Sequence, residues 1–272
     1  LSEFKGGNYT KAIEHYKALV VAHPEKDSYL YNLATCYEQV RDFNNAISIL
    51  KQLITRNPNS VNMAQKLAGL YMETRDLRNA KELYDKVILK NSPSANTLYQ
   101  YAIISSQLYD TDTAERIFKK VIGMNPDNAL AHKDLGVIYL NKRLFDYAKD
   151  EFKTALNLAP DNYDIVFEYA NYLYSVGNYK EADEYYEKAL SLNDDVIAKT
   201  LRAMNKIELN ELDKAKELID NALKQEPHHE YIQFMAGRIY FALNEFDTAK
   251  RFLIHSIEQN PDIESKNLLA LT

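Results

Sequence analysis

The sequence is poor in the residues that cross-link a chain or turn it sharply. Among 272 residues it has one cysteine (Cys36), seven glycines, seven prolines and no tryptophan. A single cysteine cannot form an internal disulfide, so a fold held together by disulfides is excluded. The small number of glycines and prolines argues against a β-rich chain, because such a chain needs many tight turns.

The chain also lacks an excess of positive charge and a long apolar segment. Its 33 Lys and Arg stand against 39 Asp and Glu, so the net charge at pH 7 is −6. That charge gives no electrostatic reason to bind nucleic acid or an anionic membrane. No stretch approaches the roughly 18 apolar residues that a membrane helix needs. We therefore predict neither nucleic-acid binding nor membrane insertion. We expect a cytoplasmic location, with a periplasmic or membrane-tethered parent protein as the alternative.

What the chain does contain is a period of 34 residues. The phrases GNYTKA and GNYKEA begin at Gly7 and Gly177, which are five such periods apart. Repeats of this length are typical of solenoids in which each unit is one supersecondary motif. An alanine recurs at the same spacing, with one residue lost in the loop Leu192–Val196: Ala12, Ala46, Ala80, Ala114, Ala148, Ala182, Ala215 and Ala249.

The prolines mark the boundaries of the repeat. Proline cannot continue a helix, and it pushes the residue before it out of the α region. All seven prolines fall within a residue of the same repeat boundary: Pro24, Pro58, Pro93, Pro126, Pro160, Pro227 and Pro261. One proline per period therefore indicates a helix that ends on schedule in each repeat.

Each repeat contains two helical patterns separated by a short turn. In the first full repeat Leu30, Leu33 and Tyr37 lie on one face of a first helix, and Ala46 and Leu50 on one face of a second. The turn between them, RDFNN, is equivalent to GNYTK and GNYKE, where Gly or Asn readily takes left-handed backbone angles. Small residues on both helices predict a close crossing, and a leucine at Ala148 or Gly136 should overpack it.

One repeat carries a recognisable motif. From His132 the sequence continues with Leu135, Gly136 and Tyr139, then Ala148, Phe152, Ala155 and Pro160. Except for His132, which stands where the pattern has Trp, this resembles the tetratricopeptide repeat. The resemblance covers essentially the whole chain. It implies an all-α fold, a right-handed superhelix of antiparallel helix pairs whose first helices line a concave groove.

The pattern predicts one superhelical domain of seven full repeats between two incomplete ones. The repeat 195–227 departs most from the pattern, with Arg202 in place of leucine, so we expect it to fray or bend most easily. Because both ends fall inside the pattern, we expect a longer parent protein, and the richness in Asn, Lys, Ile and Tyr suggests a bacterial one. The predicted intervals are a partial repeat at 1–24, with Leu1–Lys5 as the end of a first helix, repeats at 25–58, 59–93, 94–126, 127–160, 161–194, 195–227 and 228–261, and a partial repeat or capping helix at 262–272.

The groove side of the first helices can be read from helical geometry, next to the buried stripe. Aromatic residues and arginine are enriched at binding hot spots, so the aromatic members are candidate anchors and the polar ones candidate contacts. The alternative is that these aromatics only pack against the neighbouring repeat. The predicted groove residues are Tyr31, Thr35, Tyr99, Ile103, Lys133, Phe167, Asn171, Tyr174, Tyr231, Phe234 and Arg238.

The sequence shows no pattern of catalytic, cofactor-binding or metal-binding residues. None of the six histidines has a partner at i+4 or a neighbouring cysteine, and Cys36 has no nearby base in the sequence. We predict no enzymatic activity, no cofactor and no metal. Two binding modes of the family also lack their residues. In the carboxylate clamp of co-chaperones Lys133 would need an asparagine at Val137, and in the asparagine ladder of glycosyltransferases Asn32 is followed by Lys66.

The predicted function is a non-catalytic adaptor that binds another protein or a peptide in its groove. Two alternatives remain at this point. One is a structural module that associates end to end within a larger complex. The other is the regulatory arm of an enzyme whose catalytic domain lies outside the chain. Groove mutations separate the first two hypotheses, because they should abolish partner binding in an adaptor and leave assembly intact in a structural module.

Overall fold

The computed structural model describes residues 8–91 and 93–259, together with residue 269. Within these residues the regular secondary structure is helical, with no strand, so the predicted all-α class is confirmed. The chain forms two compact units, residues 1–126 and residues 127–272. The helices predicted at Leu1–Lys5 and within 262–272 lie outside the described residues.

In the first unit the described helices are α1 (Tyr9–Ala22), α2 (Asp27–Gln39), α3 (Phe43–Arg56), α4 (Val61–Glu73), α5 (Leu77–Leu83), α6 (Ala95–Gln107) and α7 (Thr111–Met124). Helix α5 continues as a π-helical turn at Tyr84–Ile88, where the N–H of Leu89 donates to the carbonyl of Tyr84 at 2.9 Å. This wide turn lies in the one interval where successive prolines, Pro58 and Pro93, are 35 residues apart.

In the second unit the described helices are α8 (Ala129–Asn141), α9 (Phe145–Leu158), α10 (Tyr163–Ser175), α11 (Tyr179–Leu192), α12 (Val196–Glu208), α13 (Leu212–Gln225), α14 (Glu230–Ala242) and α15 (Phe246–Gln259). Each predicted interval from 25–58 to 228–261 contains one first helix, which is even-numbered, and one second helix, which is odd-numbered. The limits of the repeats and their union in one domain stay predictions.

The turn inside each hairpin has the same hydrogen bonds throughout. In the first repeat Arg41 takes a left-handed φ of 61°, its N–H donates to the carbonyl of Glu38, and the N–H of Asp42 donates to that of Tyr37. This Schellman motif ends the first helix, and the Asp42 side chain then caps the second helix by accepting from the N–H of Asn45. Glycine or asparagine was predicted at the left-handed position, but only Gly177, Asn210 and Asn244 fit, and Arg41, Arg75, Tyr109 and Arg143 occupy it elsewhere.

Small residues allow the two helices of a hairpin to approach closely. Ala34 and Ala46 are fully buried where α2 crosses α3. In the second unit a Cβ atom added to Gly136 would lie 3.2 Å from the ring of Phe152. A Cβ atom added to Gly237 would lie 2.6 Å from Leu253. These distances leave no room for a leucine at either glycine, as the small residues on both helices predict.

The repeat 195–227 replaces apolar contacts with ion pairs. Asp183 of α11 accepts from Nε of Arg202 at 2.9 Å and from Nζ of Lys206 at 2.8 Å, both on α12. Arg202 also pairs with Glu187, and Lys206 with Glu211, each at 2.7 to 2.8 Å. Arg202, which stands where the pattern has leucine, therefore forms an ion pair with a residue of the preceding helix. The prediction that this repeat frays most easily remains untested.

Candidate functional site

In each unit, the first-helix face is the side of the first helices that carries the predicted groove residues: Tyr31, Thr35, Tyr99 and Ile103 in the first unit, and Lys133, Phe167, Asn171, Tyr174, Tyr231, Phe234 and Arg238 in the second. In the first unit, the Tyr31 hydroxyl donates to Oδ1 of Asn62 on α4 at 3.4 Å, and Nζ of Lys66 lies 5.6 Å from the centre of the Tyr31 ring. The Thr35 hydroxyl donates to the carbonyl of Tyr31 within α2. These contacts tie the exposed side of α2 to the next first helix.

Further along the first unit, one predicted anchor turns toward the second-helix layer. The Tyr99 ring makes an edge contact with Phe118 of α7 at a centroid distance of 5.8 Å, and Phe118 is fully buried. Ile103, one turn later on α6, is partly buried. Tyr99 therefore contributes to the core of its own hairpin and shows only part of its ring.

In the second unit Phe167 and Asn171 cover a buried tyrosine. Phe167 stacks on Tyr163 at 5.7 Å and meets the ring of Tyr186 edge-on at 6.2 Å. The hydroxyl of Tyr186, which is fully buried on α11, donates to Oδ1 of Asn171 at 2.8 Å. Burial raises the pKa of Tyr186 well above its usual range, so this hydroxyl stays protonated and donates. Asn171 thus satisfies a core group as well as lining the face.

Charged groups lie beside this aromatic cluster. Nζ of Lys133 pairs with the adjacent carboxylate of Asp134 at 2.7 Å on α8. The partly buried Glu168 of α10 accepts from Nδ2 of Asn171 at 3.2 Å. Burial raises the pKa of Glu168, while the bond from Asn171 and the charge of Lys133 oppose that increase. Lys133 is therefore not a free cation but part of a small network of opposite charges.

Three predicted residues, Tyr174 on α10 and Tyr231 and Arg238 on α14, are linked electrostatically, and Glu208 on α12 joins them through Tyr174. Burial raises the pKa of Tyr174 on α10; the carboxylate of Glu208 on α12 adds to the increase and the guanidinium of Arg238 on α14 opposes it. Burial likewise raises the pKa of Tyr231 on α14, again against Arg238. Tyr174 therefore interacts electrostatically with Glu208 and Arg238, and Tyr231 interacts with Arg238. Arg238 also lies over the ring of Phe234 at 5.9 Å.

The exposure of the predicted residues follows from these contacts. Ten of the eleven are partly buried and one, Arg238, is exposed. Sequence reasoning missed Tyr186, Glu168 and Glu208. Tyr186 stands at the position of Phe152 in its repeat, which is a core position. Glu168 is adjacent to the predicted Phe167, and Glu208 lies on α12, which carries none of the predicted residues.

The described residues contain no cluster of three or more His, Cys, Asp or Glu side chains suited to a metal ion. Among the helices that the structure describes, none is long and apolar enough to cross a membrane. In each unit, the first-helix face carries partly buried aromatic rings with a few charged groups among them.

Comparison of the sequence with models of known protein families identifies the family of this chain. Three sequence models of the tetratricopeptide repeat match residues 1–61 and 107–162, residues 38–100 and 206–271, and residues 164–196. The chain belongs to the tetratricopeptide repeat family. No curated protein matches the sequence. The tetratricopeptide repeat fold suggests a protein–protein interaction scaffold, and the family is generally non-catalytic.

Solved tetratricopeptide repeat structures share the fold over most of the chain. A tetratricopeptide repeat protein from Parabacteroides merdae covers 90% of this chain and 98% of its own at 18% identity, with a TM-score of 0.77. Yeast Tom70 covers 97% of this chain and 57% of its own at 18% identity and a TM-score of 0.67. YrrB, described as a tetratricopeptide repeat protein with an unusual peptide-binding site, covers 68% of this chain and 96% of its own at 25% identity and a TM-score of 0.51.

Proposed function

We propose that the first-helix face of α10, α12 and α14 binds an extended segment of another protein, and that the chain is a non-catalytic adaptor. The observation that carries this proposal is the group formed by Tyr174, Glu208, Tyr231 and Arg238. It combines two partly buried rings with one exposed cation and one carboxylate on three successive helices.

Such a group suits a peptide because the ring of Tyr174 is already held in place. The Tyr174 ring makes an edge contact with Tyr179 at 5.5 Å, so it loses little freedom when a ligand covers its exposed part. Binding costs less when side chains are held in place beforehand. Tyrosine and arginine are also among the residue types that dominate binding energy at interfaces. The aromatic rings would supply affinity, and Arg238 with Glu208 would select the polar groups of the segment.

The same contacts assign different roles to the other predicted anchors. Phe167 and Tyr99 are engaged with the buried rings of Tyr186 and Phe118, so they form the floor of the face. Removing either ring would leave a cavity against the core and destabilise the fold. The packing interpretation therefore applies to these two residues, and the binding interpretation rests on Tyr174, Tyr231 and Arg238. The peptide-binding site named for YrrB, at 25% identity, supports the same class of ligand.

The test uses a charge reversal that leaves the core intact. Arg238 is exposed, so Arg238→Glu should fold normally while placing a second carboxylate near Glu208. The matched control is Arg116→Glu, an exposed arginine on the second helix α7. The purified chain and both variants are screened against an array of random 12-residue peptides, and selected peptides are titrated by fluorescence anisotropy.

We expect the wild type and Arg116→Glu to bind the same peptides and Arg238→Glu to bind them at least tenfold more weakly, which is about 1.4 kcal/mol. Equal affinity for all three proteins would exclude this part of the face. If no peptide binds and the chain instead sediments as an oligomer at micromolar concentration, the structural-module hypothesis replaces the adaptor.

A further inference from the structure

A cavity lies in the second unit beside the hairpin of α14 and α15, and none of the eleven predicted groove residues lines it. Its volume of about 370 Å³ is near the lower end of the range typical of ligand sites, roughly 300–1,000 Å³. Its walls come from the loop before α14, from α14 itself and from α15. The lining residues are Pro227, His228, Gln233, Arg251, Phe252 and His255.

The deepest polar group of the cavity is the side-chain amide of Gln233. This side chain is only 5% exposed, and its Nε2 donates to the carbonyl of Pro227. The reverse orientation would place two carbonyl oxygens against each other, so the bond to Pro227 determines which atom is the oxygen. Oε1 is buried without a hydrogen-bond partner. A buried acceptor of this kind costs free energy until a donor reaches it.

The rim of the cavity is mainly basic. Arg251 is exposed, and its guanidinium has a long contact of 3.4 Å to Oγ1 of Thr248. The rings of His228 and His255 lie 5.9 Å apart. The carboxylate of Glu258 is 3.8 Å from Nδ1 of His255 and places one negative charge at this rim. The fixed charge of Arg251 favours an anion over a metal cation, and Phe252 adds an apolar wall.

We propose that this cavity binds an acidic residue, aspartate or glutamate, in a segment of a partner protein. The carboxylate would lie at Arg251 and the two histidines. A rotation of the Gln233 side chain toward the cavity would expose Oε1, which is buried in the unliganded chain, to the backbone N–H of the same acidic residue. An acidic residue supplies both groups that the cavity requires, an anion at the rim and a donor within. The cavity is a second interaction site, and it does not depend on binding at the first-helix face.

The test titrates the full chain with glutamate blocked as its N-acetyl α-amide and follows the side-chain amide signal of Gln233 and the ring signals of His228 and His255 by NMR. Two altered probes each remove one group: blocked glutamine removes the charge, and blocked glutamate with an N-methylated backbone nitrogen removes the donor. We expect saturable shifts with blocked glutamate and about tenfold weaker binding of each altered probe. Inorganic phosphate serves as the bare-anion probe.

Two variants locate the site. Gln233→Leu removes the acceptor and should fold, because leucine stands buried at the equivalent positions Leu30 and Leu98. Arg251→Gln removes the charge, and the matched control is Arg116→Gln, at an exposed arginine of α7 that belongs to neither proposed site. We expect both cavity variants to lose at least tenfold in affinity for blocked glutamate and the control to lose none. Blocked glutamine or phosphate binding as tightly as blocked glutamate, or no saturable shift at all, would overturn the proposal.

Discussion

The ion pairs between α11 and α12 give a quantitative prediction about stability. Asp183 receives hydrogen bonds from both Arg202 and Lys206, and the side-chain exposures are 16%, 17% and 6%. Asp183→Asn keeps the size of the side chain and removes its charge. The two cations are then left partly buried with only Glu187 and Glu211 as partners.

The expected cost is about 3 kcal/mol. Removing one member of a buried ion pair typically costs roughly 3–5 kcal/mol, because the remaining charge is desolvated without compensation. The lower end applies here, since Arg202 and Lys206 each keep one carboxylate partner at the surface. In contrast, replacing all three residues with the apolar residues of the α3–α4 junction should cost little. Asp183→Ile, Arg202→Leu and Lys206→Tyr copy Ile47, Leu67 and Tyr71, and such exchanges are often neutral or stabilising.

The assay is amide hydrogen exchange resolved to individual helices, because the stability of a repeat array is local to each repeat and its neighbours. We expect the amides of α12 to exchange about a hundredfold faster in Asp183→Asn, which corresponds to about 3 kcal/mol, and those of α15 to change little. The control Asp213→Asn, at an exposed position in the first turn of α13, should stay within about 0.5 kcal/mol of wild type.

The pH dependence supplies an independent check. Burial alone would raise the pKa of Asp183, but the hydrogen bonds from Arg202 and Lys206 outweigh it and hold the pKa below its usual range. A lowered folded-state pKa means that the stabilisation is present above the unfolded value, about 3.9, and is lost as the pH falls through the folded one. The difference between wild type and Asp183→Asn should therefore shrink below pH 4. An α12 exchange rate unchanged by the substitution at pH 7 would refute this account.

Two further predictions concern the hairpins. Gly237→Ala should destabilise the α14–α15 hairpin by about 1–2 kcal/mol, because the added Cβ would lie 2.6 Å from Leu253. Gly69→Ala should instead stabilise α4 by about 0.5–1 kcal/mol, because a Cβ added there would have no atom within 4 Å. Urea denaturation followed by circular dichroism checks both, and a stabilised Gly237→Ala would contradict the close crossing. Leu144→Asp should stabilise α9 by about 1 kcal/mol, because Leu144 is an N-cap with no side-chain hydrogen bond. We expect slower amide hydrogen exchange in α9, and an unchanged rate would argue against this prediction.

The sequence was sufficient to predict the helix pairs because their determinants are local and repeated. Alanines at the crossings, such as Ala46 and Ala148, and prolines at the boundaries recur at a fixed spacing, and each has one physical role. The left-handed turn position was located correctly, but its occupants were not. A Schellman turn supplies two backbone hydrogen bonds and caps the next helix through Asp42 or Asp76, and that is enough to hold Arg41 or Arg75 at positive φ.

The candidate site was less predictable, because its properties depend on contacts between repeats. Helical geometry placed Tyr174 and Tyr231 on one side of their helices, but it could not show that Glu208 and Arg238 both act on Tyr174. Nor could it separate Phe167, which covers the buried Tyr186, from residues available to a ligand. The distance between side chains on successive first helices is set by packing, and a 34-residue spacing does not encode it.

The missing tryptophan connects the fold to the second site. His132, Lys199 and Gln233 all stand at the repeat position where the family pattern has tryptophan, and all three are at least nine-tenths buried. His132 has Glu151 at 2.6 Å, and Lys199 has Asp194 at 2.6 Å, so these two replacements are compensated within the chain. Gln233 keeps one atom without a partner, and a cavity lies beside it. A buried polar residue whose partner is inside the protein is explained by stability, whereas one without a partner needs another explanation, and the cavity beside Gln233 suggests one. That difference is the reason to look for a ligand at Gln233 and not at the other two positions.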